Sequence, residues 1–228
     1  MKKTQQIFRL TALAAISFLL LSGVYAQKAK KGIFIGLNVT NNNFSPEDFN
    51  GSSIVVGTTA PFTTFSVPEL NSATGIGGSI GYRGKDGSIE VNYTSYNHEG
   101  TWLVFSGDAA NTTLSINLKR YFFKDLRLQP FIQAGWIPLA TLNVADAGVI
   151  PVTLEKTNAR FKGDVGSFQV GGGAAFYWTE RFAVHGTILY RYTNYGMVED
   201  DNGASFEPEN SINGTGWNAG ISLTYTVF

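Results

Sequence analysis

His98 and His185 are the chain's two histidines, and its 228 residues include no cysteine. Nucleophilic hydrolysis needs Ser, His and an acid within hydrogen-bond reach of one another. His98 opens a segment (98–110) with Glu99 beside it and Ser106 further on, but no serine lies on a strand at an obvious spacing to either histidine. Substituting His98 and Ser106 is the direct check on an enzyme. Two distant histidines make a poor metal site. The lack of cysteine removes thiol catalysis, cysteine-ligated zinc and a disulfide scaffold. With 17 Lys+Arg against 17 Asp+Glu, nothing suggests a nucleic-acid partner.

The elements that carry these residues alternate with period two, the pattern of strands with unlike faces. Ile33, Ile35, Leu37 and Val39 oppose Phe34, Gly36, Asn38 and Thr40. Further alternating segments follow around 76–83, 89–94, 114–119, 128–136, 168–178, 182–191 and 217–227. The connections, roughly 41–72, 84–87, 98–110, 123–126, 138–166, 179–181 and 194–213, run long, short, long, short, long, short, long. An even meander with that rhythm puts the long loops at one end, with both termini and the short turns at the other. The expectation is an all-β fold: a closed eight-stranded antiparallel up-and-down transmembrane β-barrel with long extracellular loops and short periplasmic turns.

Composition supports a lipid-facing exterior. Charged residues make up 15%, against about 25% in ordinary soluble domains, and the non-apolar face is built from Gly, Ser, Thr, Asn and Gln. Tyr82, Phe122, Trp178, Phe182 and Tyr225 fall at the short-turn side, whereas Trp136, Phe168, Tyr190 and Trp217 fall toward the long loops. Two such aromatic girdles suit the two headgroup levels. Closure is obligatory, because an open strand edge in hydrocarbon leaves backbone groups unsatisfied. Pro130 sits awkwardly in a sheet without edges, although its place near the short turns brings it close to water.

Residues 1–26 read as a cleaved signal peptide: Lys2, Lys3 and Arg9 precede an apolar stretch from Leu10 to Leu21, and Val24-Tyr25-Ala26 precedes Gln27. Twelve helical residues rise about 18 Å, short of a bilayer span. The domain left is 27–228. Removal of three positive charges leaves it 14 basic and 17 acidic groups, a net charge of −3.

The stretch Leu128-Gln129-Pro130-Phe131-Ile132-Gln133-Ala134-Gly135 resembles the fifth-strand segment of small OmpA-like and OmpX-like outer-membrane barrels. The run from Gly171 to Tyr192 is similar to that family's sixth-to-seventh-strand hairpin, and Phe228 matches its terminal aromatic. The family usually has a second aromatic two places earlier, where this chain has Thr226. The resemblance implies a bacterial outer-membrane location and recognition of Phe228 by the barrel-assembly machinery. The expected partners are outer-membrane lipid and lipopolysaccharide, and the expected state is a monomer without cofactor.

On the polar face, Arg83, Glu90, Lys119, His185 and Arg191 should enter the lumen, with Glu90 near both Arg83 and Lys119. Buried charges normally require such pairing, so they read as a lumen ion-pair network; the alternative is a narrow gated pore whose bridge swaps partners. The last loop holds Glu199, Asp200, Asp201, Glu207 and Glu209 without Lys or Arg. It reads as a solvated loop or as a Ca²⁺ or Mg²⁺ ligand set bridging to lipopolysaccharide phosphates, although the spacing is not that of an EF-hand. Segment 41–72 intersperses Phe44, Phe49, Ile54, Val55, Val56, Phe62, Phe65 and Val67 with Ser, Thr and Gly. Recognition generally resides in long loops on rigid scaffolds. The function expected is therefore non-catalytic: structural, or surface interaction and adhesion through loops 41–72 and 194–213. The rivals are the narrow pore and an outer-leaflet lipid-modifying enzyme.

Overall fold

A computed structural model describes residues 29–45, 53–56, 63–66, 69–102, 105–150, 155–201, 203, 205–207 and 212–228. The proposed signal, and Phe49, Phe62, Val67 and Glu209 of the expected loops, lie outside them. Eight strands make the ring: β1 (Gly32–Ser45), β2 (Ala73–Arg83), β3 (Gly87–Trp102), β4 (Phe105–Tyr121), β5 (Leu128–Ile150), β6 (Phe168–Tyr177), β7 (Phe182–Asp200) and β8 (Ile212–Thr226). Neighbours are antiparallel, and β8 returns to pair with β1, so the sheet closes. No helix among the described residues is long and apolar enough to cross a membrane; the strands do the crossing.

The registers fix the barrel's dimensions. From Val39, paired residues lead one way through Ile221, Gly186 and Ala174 to Pro130. The other way they lead through Ile76, Ser95 and Thr112 to Thr141. The two paths meet β5 eleven residues apart, 130 against 141. One of these is a bulge, because Leu114 faces Leu139 while Ile116 faces Trp136. A stagger of about ten residues over eight strands gives a tilt of about 41° and a backbone radius of about 8 Å. Each residue then climbs about 2.5 Å along the axis, and about ten cross the hydrocarbon.

The outer face is apolar over that distance. Ile33, Ile35, Leu37 and Val39 are exposed on β1, Ile89, Val91 and Tyr93 on β3, and Ile221, Leu223 and Tyr225 on β8. The segments expected as long loops are largely continuations of the wall. β3 and β4 pair to the tip, Trp102 with Phe105. Beyond Trp136, β5 continues against a further strand, Glu155–Gly163, which also pairs with β7 and so carries the ring upward where β6 has ended. Short strands Ser53–Val56 and Thr63–Ser66 pair and attach to the end of β5.

Parity changes along this extension. On β5, Gln129, Phe131 and Gln133 point inward up to the bulge at Ile137; above it Ala140, Leu142 and Val144 point inward instead. On β7 a shift between Tyr195 and Met197 has the same effect. Below, the wall is apolar outside and largely polar inside. Above, Asn143, Arg160 and Lys162 face outward, while Leu142, Val144, Phe161, Tyr195 and Val198 form a buried apolar cluster. Alternation is lost to sequence inspection where these bulges interrupt it. Pro130 belongs to β5, two residues from its start; its carbonyl accepts the Phe122 N–H at 2.8 Å.

Candidate functional site

The lumen is filled in three levels. At the short-turn end the Arg83 guanidinium lies 3.7 Å above the Tyr121 ring centre and 4.8 Å from that of Tyr177. Its Nη2 donates to Gln129 Oε1 at 2.5 Å. The Gln129 amide is fixed in turn, since Nε2 donates to the carbonyls of Lys124 (3.0 Å) and Leu126 (2.9 Å) and leaves its oxygen for Arg83. Phe131, Ala175 and Ala183 complete the level. His185 is enclosed there by Tyr121, Phe131 and Tyr177, with Nε2 3.0 Å from Thr224 Oγ1.

The middle level is polar. Lys119 Nζ donates to Glu90 Oε2 at 2.9 Å, with 3% and 4% of the two side chains exposed, and the ammonium lies 5.1 Å from the Phe131 ring centre. A second chain runs along the wall: Arg191 Nη2 donates to Gln169 Oε1 (3.4 Å), and Gln169 Nε2 to Asn117 Oδ1 (2.5 Å). Gln169 and Asn117 flank Gly135 in register, and a side chain there would collide with the Asn117 amide and press on Gln169, so glycine lets the amides meet. Of the five charged lumen residues expected from sequence, the structure joins Lys119 with Glu90. Arg83 and Arg191 bond to glutamines instead; Gln129 is held in place for Arg83 by the adjoining turn. The remaining space among these groups is about 40 Å³, room for a few water-sized molecules.

The upper level is the apolar cluster, which sequence inspection did not reveal. His98 is a strand residue here and not the start of a loop: it points inward with Nδ1 2.8 Å from the Asn71 carbonyl, while Glu99 points outward. That opposition removes Glu99 as its catalytic acid. Burial pushes the His98 pKa below its usual value; the Asn71 bond opposes this and the charge of Arg191 adds to it. Ser106 is on β4 opposite Thr101, its side chain outside the described residues.

Two cations and an amide from the adjoining strand meet the acidic end of β7. Glu199 receives Lys162 at 2.9 Å and Arg160 at 3.6 Å, and Asp201 accepts from the Asn158 amide at 3.2 Å. The absence of basic residues within 194–213 is thus offset by a neighbouring strand. Among the described residues no group of three His, Cys, Asp or Glu could hold a metal ion. Asn158, Arg160, Glu199 and Asp201 border a rim hollow of about 540 Å³ that Asp108 and Asn143 also line.

All nine girdle aromatics lie on strands or turns of the wall, and Tyr82, Phe122, Trp136, Phe168, Trp178, Trp217 and Tyr225 are exposed on its outside. Phe168 pairs with Trp136, and Tyr190 packs edge-on to Trp217 with ring centres 5.4 Å apart. The upper aromatics thus gather on the arc from β5 to β8. Phe228 follows β8 and is 74% exposed.

A further signal lay in the pairing of lumen glycines with large residues. Gly81 pairs with Phe34, Gly75 with Tyr96, and Gly173 with Phe131. Each large ring occupies the space that a side chain on its glycine would take. The signal depends on register and so emerges only once strands are aligned.

The model of the outer membrane protein beta-barrel domain matches residues 11–224. No curated protein matches the chain. Among solved structures, Neisserial surface protein A (NspA) is 15% identical with a TM-score of 0.50, over 84% of this chain and 96% of that one. The outer membrane protein OprG from Pseudomonas aeruginosa is 13% identical with a TM-score of 0.49, over 89% and 99%. At these identities the likeness concerns the fold alone.

Proposed function

The chain belongs to the outer membrane protein beta-barrel domain family and resides in the bacterial outer membrane, and we propose that it works there as a non-catalytic, non-conducting anchor for a rigid surface-interaction platform. The observation that carries this reading is the inverted upper section. Polar residues outside and Leu142, Val144, Phe161, Tyr195 and Val198 inside make it a water-facing barrel built on a lipid-facing one. An apolar core above the membrane holds the rim in one shape without contributing to a conduction path. The segments 41–72 and 194–213 supply the binding surface, the five lumen charges specify and fill the barrel, residues 1–26 are removed during export, and Phe228 engages the assembly machinery.

The test compares the intact protein with one trimmed between 46 and 68 and between 202 and 211. Both should migrate as compact, heat-modifiable bands, and the trimmed form should lose binding to cell surfaces or lipopolysaccharide. Equal binding by both forms would sink the platform. A narrow pore is the second reading, favoured by the 40 Å³ polar space beside the Lys119–Glu90 bridge. Planar-bilayer recording separates the two, since discrete conductance steps would replace the closed anchor with a gated path.

A further inference from the structure

The periplasmic mouth carries an excess of positive charge that membrane anchoring does not require. Residues 29–31, 84–87, 120–127 and 178–181 hold seven Lys or Arg against three Asp or Glu. Within this rim is a hollow of about 240 Å³ lined by Lys31, Arg83, Lys85, Lys124 and Asp125, together with Ala29 and Gly84. Lys124 is paired with Asp86. Lys31 and Lys85 are exposed and stand on two elements, the start of β1 and the β2–β3 turn.

Arg83 distinguishes this hollow from a scatter of surface lysines. It is 5% exposed and sandwiched by Tyr121 and Tyr177. Gln129, itself fixed by two backbone carbonyls, holds its Nη2. Its Nη1 finds no hydrogen-bond acceptor among the described residues. A buried guanidinium is costly unless its charge is compensated, and here its hydrogen-bond partner is a neutral amide. A planar, preorganised guanidinium backed by flexible ammonium groups is the arrangement that receives phosphate oxygens.

We propose that the periplasmic mouth binds a phosphate-class anion, with Arg83 as the fixed floor and the exposed Lys31 and Lys85 closing over it beside the Lys124–Asp86 pair. The phosphate comes either from an anionic phospholipid headgroup of the inner leaflet or from a free phosphate or phosphate ester in the periplasm. Asp125 on the lining limits the net charge and disfavours binding deeper than one phosphate.

The experiment uses the full folded protein in an uncharged detergent, titrated with inorganic phosphate against chloride at matched ionic strength. A parallel arm uses phosphatidylcholine vesicles with and without phosphatidylglycerol. Both read the urea midpoint of the heat-modifiable band, and phosphorus NMR line width reports binding directly. The variants are Lys31→Gln/Lys85→Gln, whose side chains are exposed and whose folding the heat-modifiable band itself checks, and Lys162→Gln at the opposite end as control. Removing two lysines should weaken binding about thirtyfold at low ionic strength, with the control unchanged. Saturable, lysine-dependent binding of inorganic phosphate identifies a soluble ligand; lysine-dependent stabilisation by phosphatidylglycerol alone identifies the headgroup. Absence of saturation in both arms, or an equal effect in the Lys162→Gln control, overturns the proposal and leaves ordinary charge screening.

Discussion

Substituting Glu90 by Leu tests whether the middle of the lumen is held by charge pairing. Lys119 sits 2.9 Å from Glu90 with almost none of its side chain exposed. Loss of the carboxylate strands an ammonium inside the barrel. Breaking a buried pair from one side typically costs about 3–5 kcal/mol. Two features place this case near the lower end. The Phe131 ring lies 5.1 Å from Nζ, and Gln133, in register with Lys119, has an Oε1 without a hydrogen-bond partner among the described residues that can accept from it. A cost of about 3 kcal/mol lowers the folding equilibrium constant by more than a hundredfold. The assay is urea unfolding from vesicles, scored by the unboiled gel shift. Glu90→Leu/Lys119→Met should recover most of the loss, because an apolar pair of similar volume needs no compensation. A single variant within about 1 kcal/mol of the parent, or a double variant as unstable as the single, would refute the reasoning.

Gly81→Val places a side chain against the Phe34 ring and the Ile89 carbonyl and should cost about 1–3 kcal/mol, partly restored by Phe34→Ala in the same unfolding assay. Deleting Ile137 removes the bulge's extra residue and leaves Trp136 and Leu139 two places apart, in regular alternation with Leu142 and Val144 still inward. The upper section should therefore stay protease-resistant while the membrane band still shifts on heating; a protease-sensitive upper section would show that the bulge itself is needed. Burial lowers the His98 pKa, so the unfolded state binds more protons as pH falls below about 6.5. Protease resistance of the upper section should drop through that range in the parent and stay level in His98→Gln. At the other end, hydrogen-bonded Lys124 holds the Asp86 carboxyl below the usual range. Its contribution is present above the unfolded value and lost as pH falls through the folded one, so Asp86→Asn should remove a small acid-dependent step in turn mobility by NMR.

The membrane section was legible because one solvent rule holds along each strand: Ile33 to Val39 and Trp217 to Val227 alternate without interruption. The upper section was not. Trp136 and Leu139 both face outward, three residues apart, because Ile137 bulges, and such a break reads as the end of a strand. The lumen charges were legible as inward-facing residues, since parity suffices for that. Their partners were not, because Arg83 meets Gln129 across 46 positions and only register and the adjoining turn decide it. Gln169 joins Arg191 to Asn117 only because Gly135 is empty of side chain, a condition set by three strands together.

The bulge at Ile137 also acts as a depth gauge. Hydrocarbon below it meets Trp136, and water above it meets Asn143 and Arg160. The protein therefore cannot ride higher or lower in the bilayer without bringing an amide and a guanidinium into the oil or leaving exposed isoleucines in water. Sliding is resisted by fractions of a kilocalorie for each ångström of mismatch. A membrane of different thickness must deform to this barrel. One inserted residue thus matches the protein to a bilayer of particular thickness and makes its placement in the cell envelope sensitive to lipid composition.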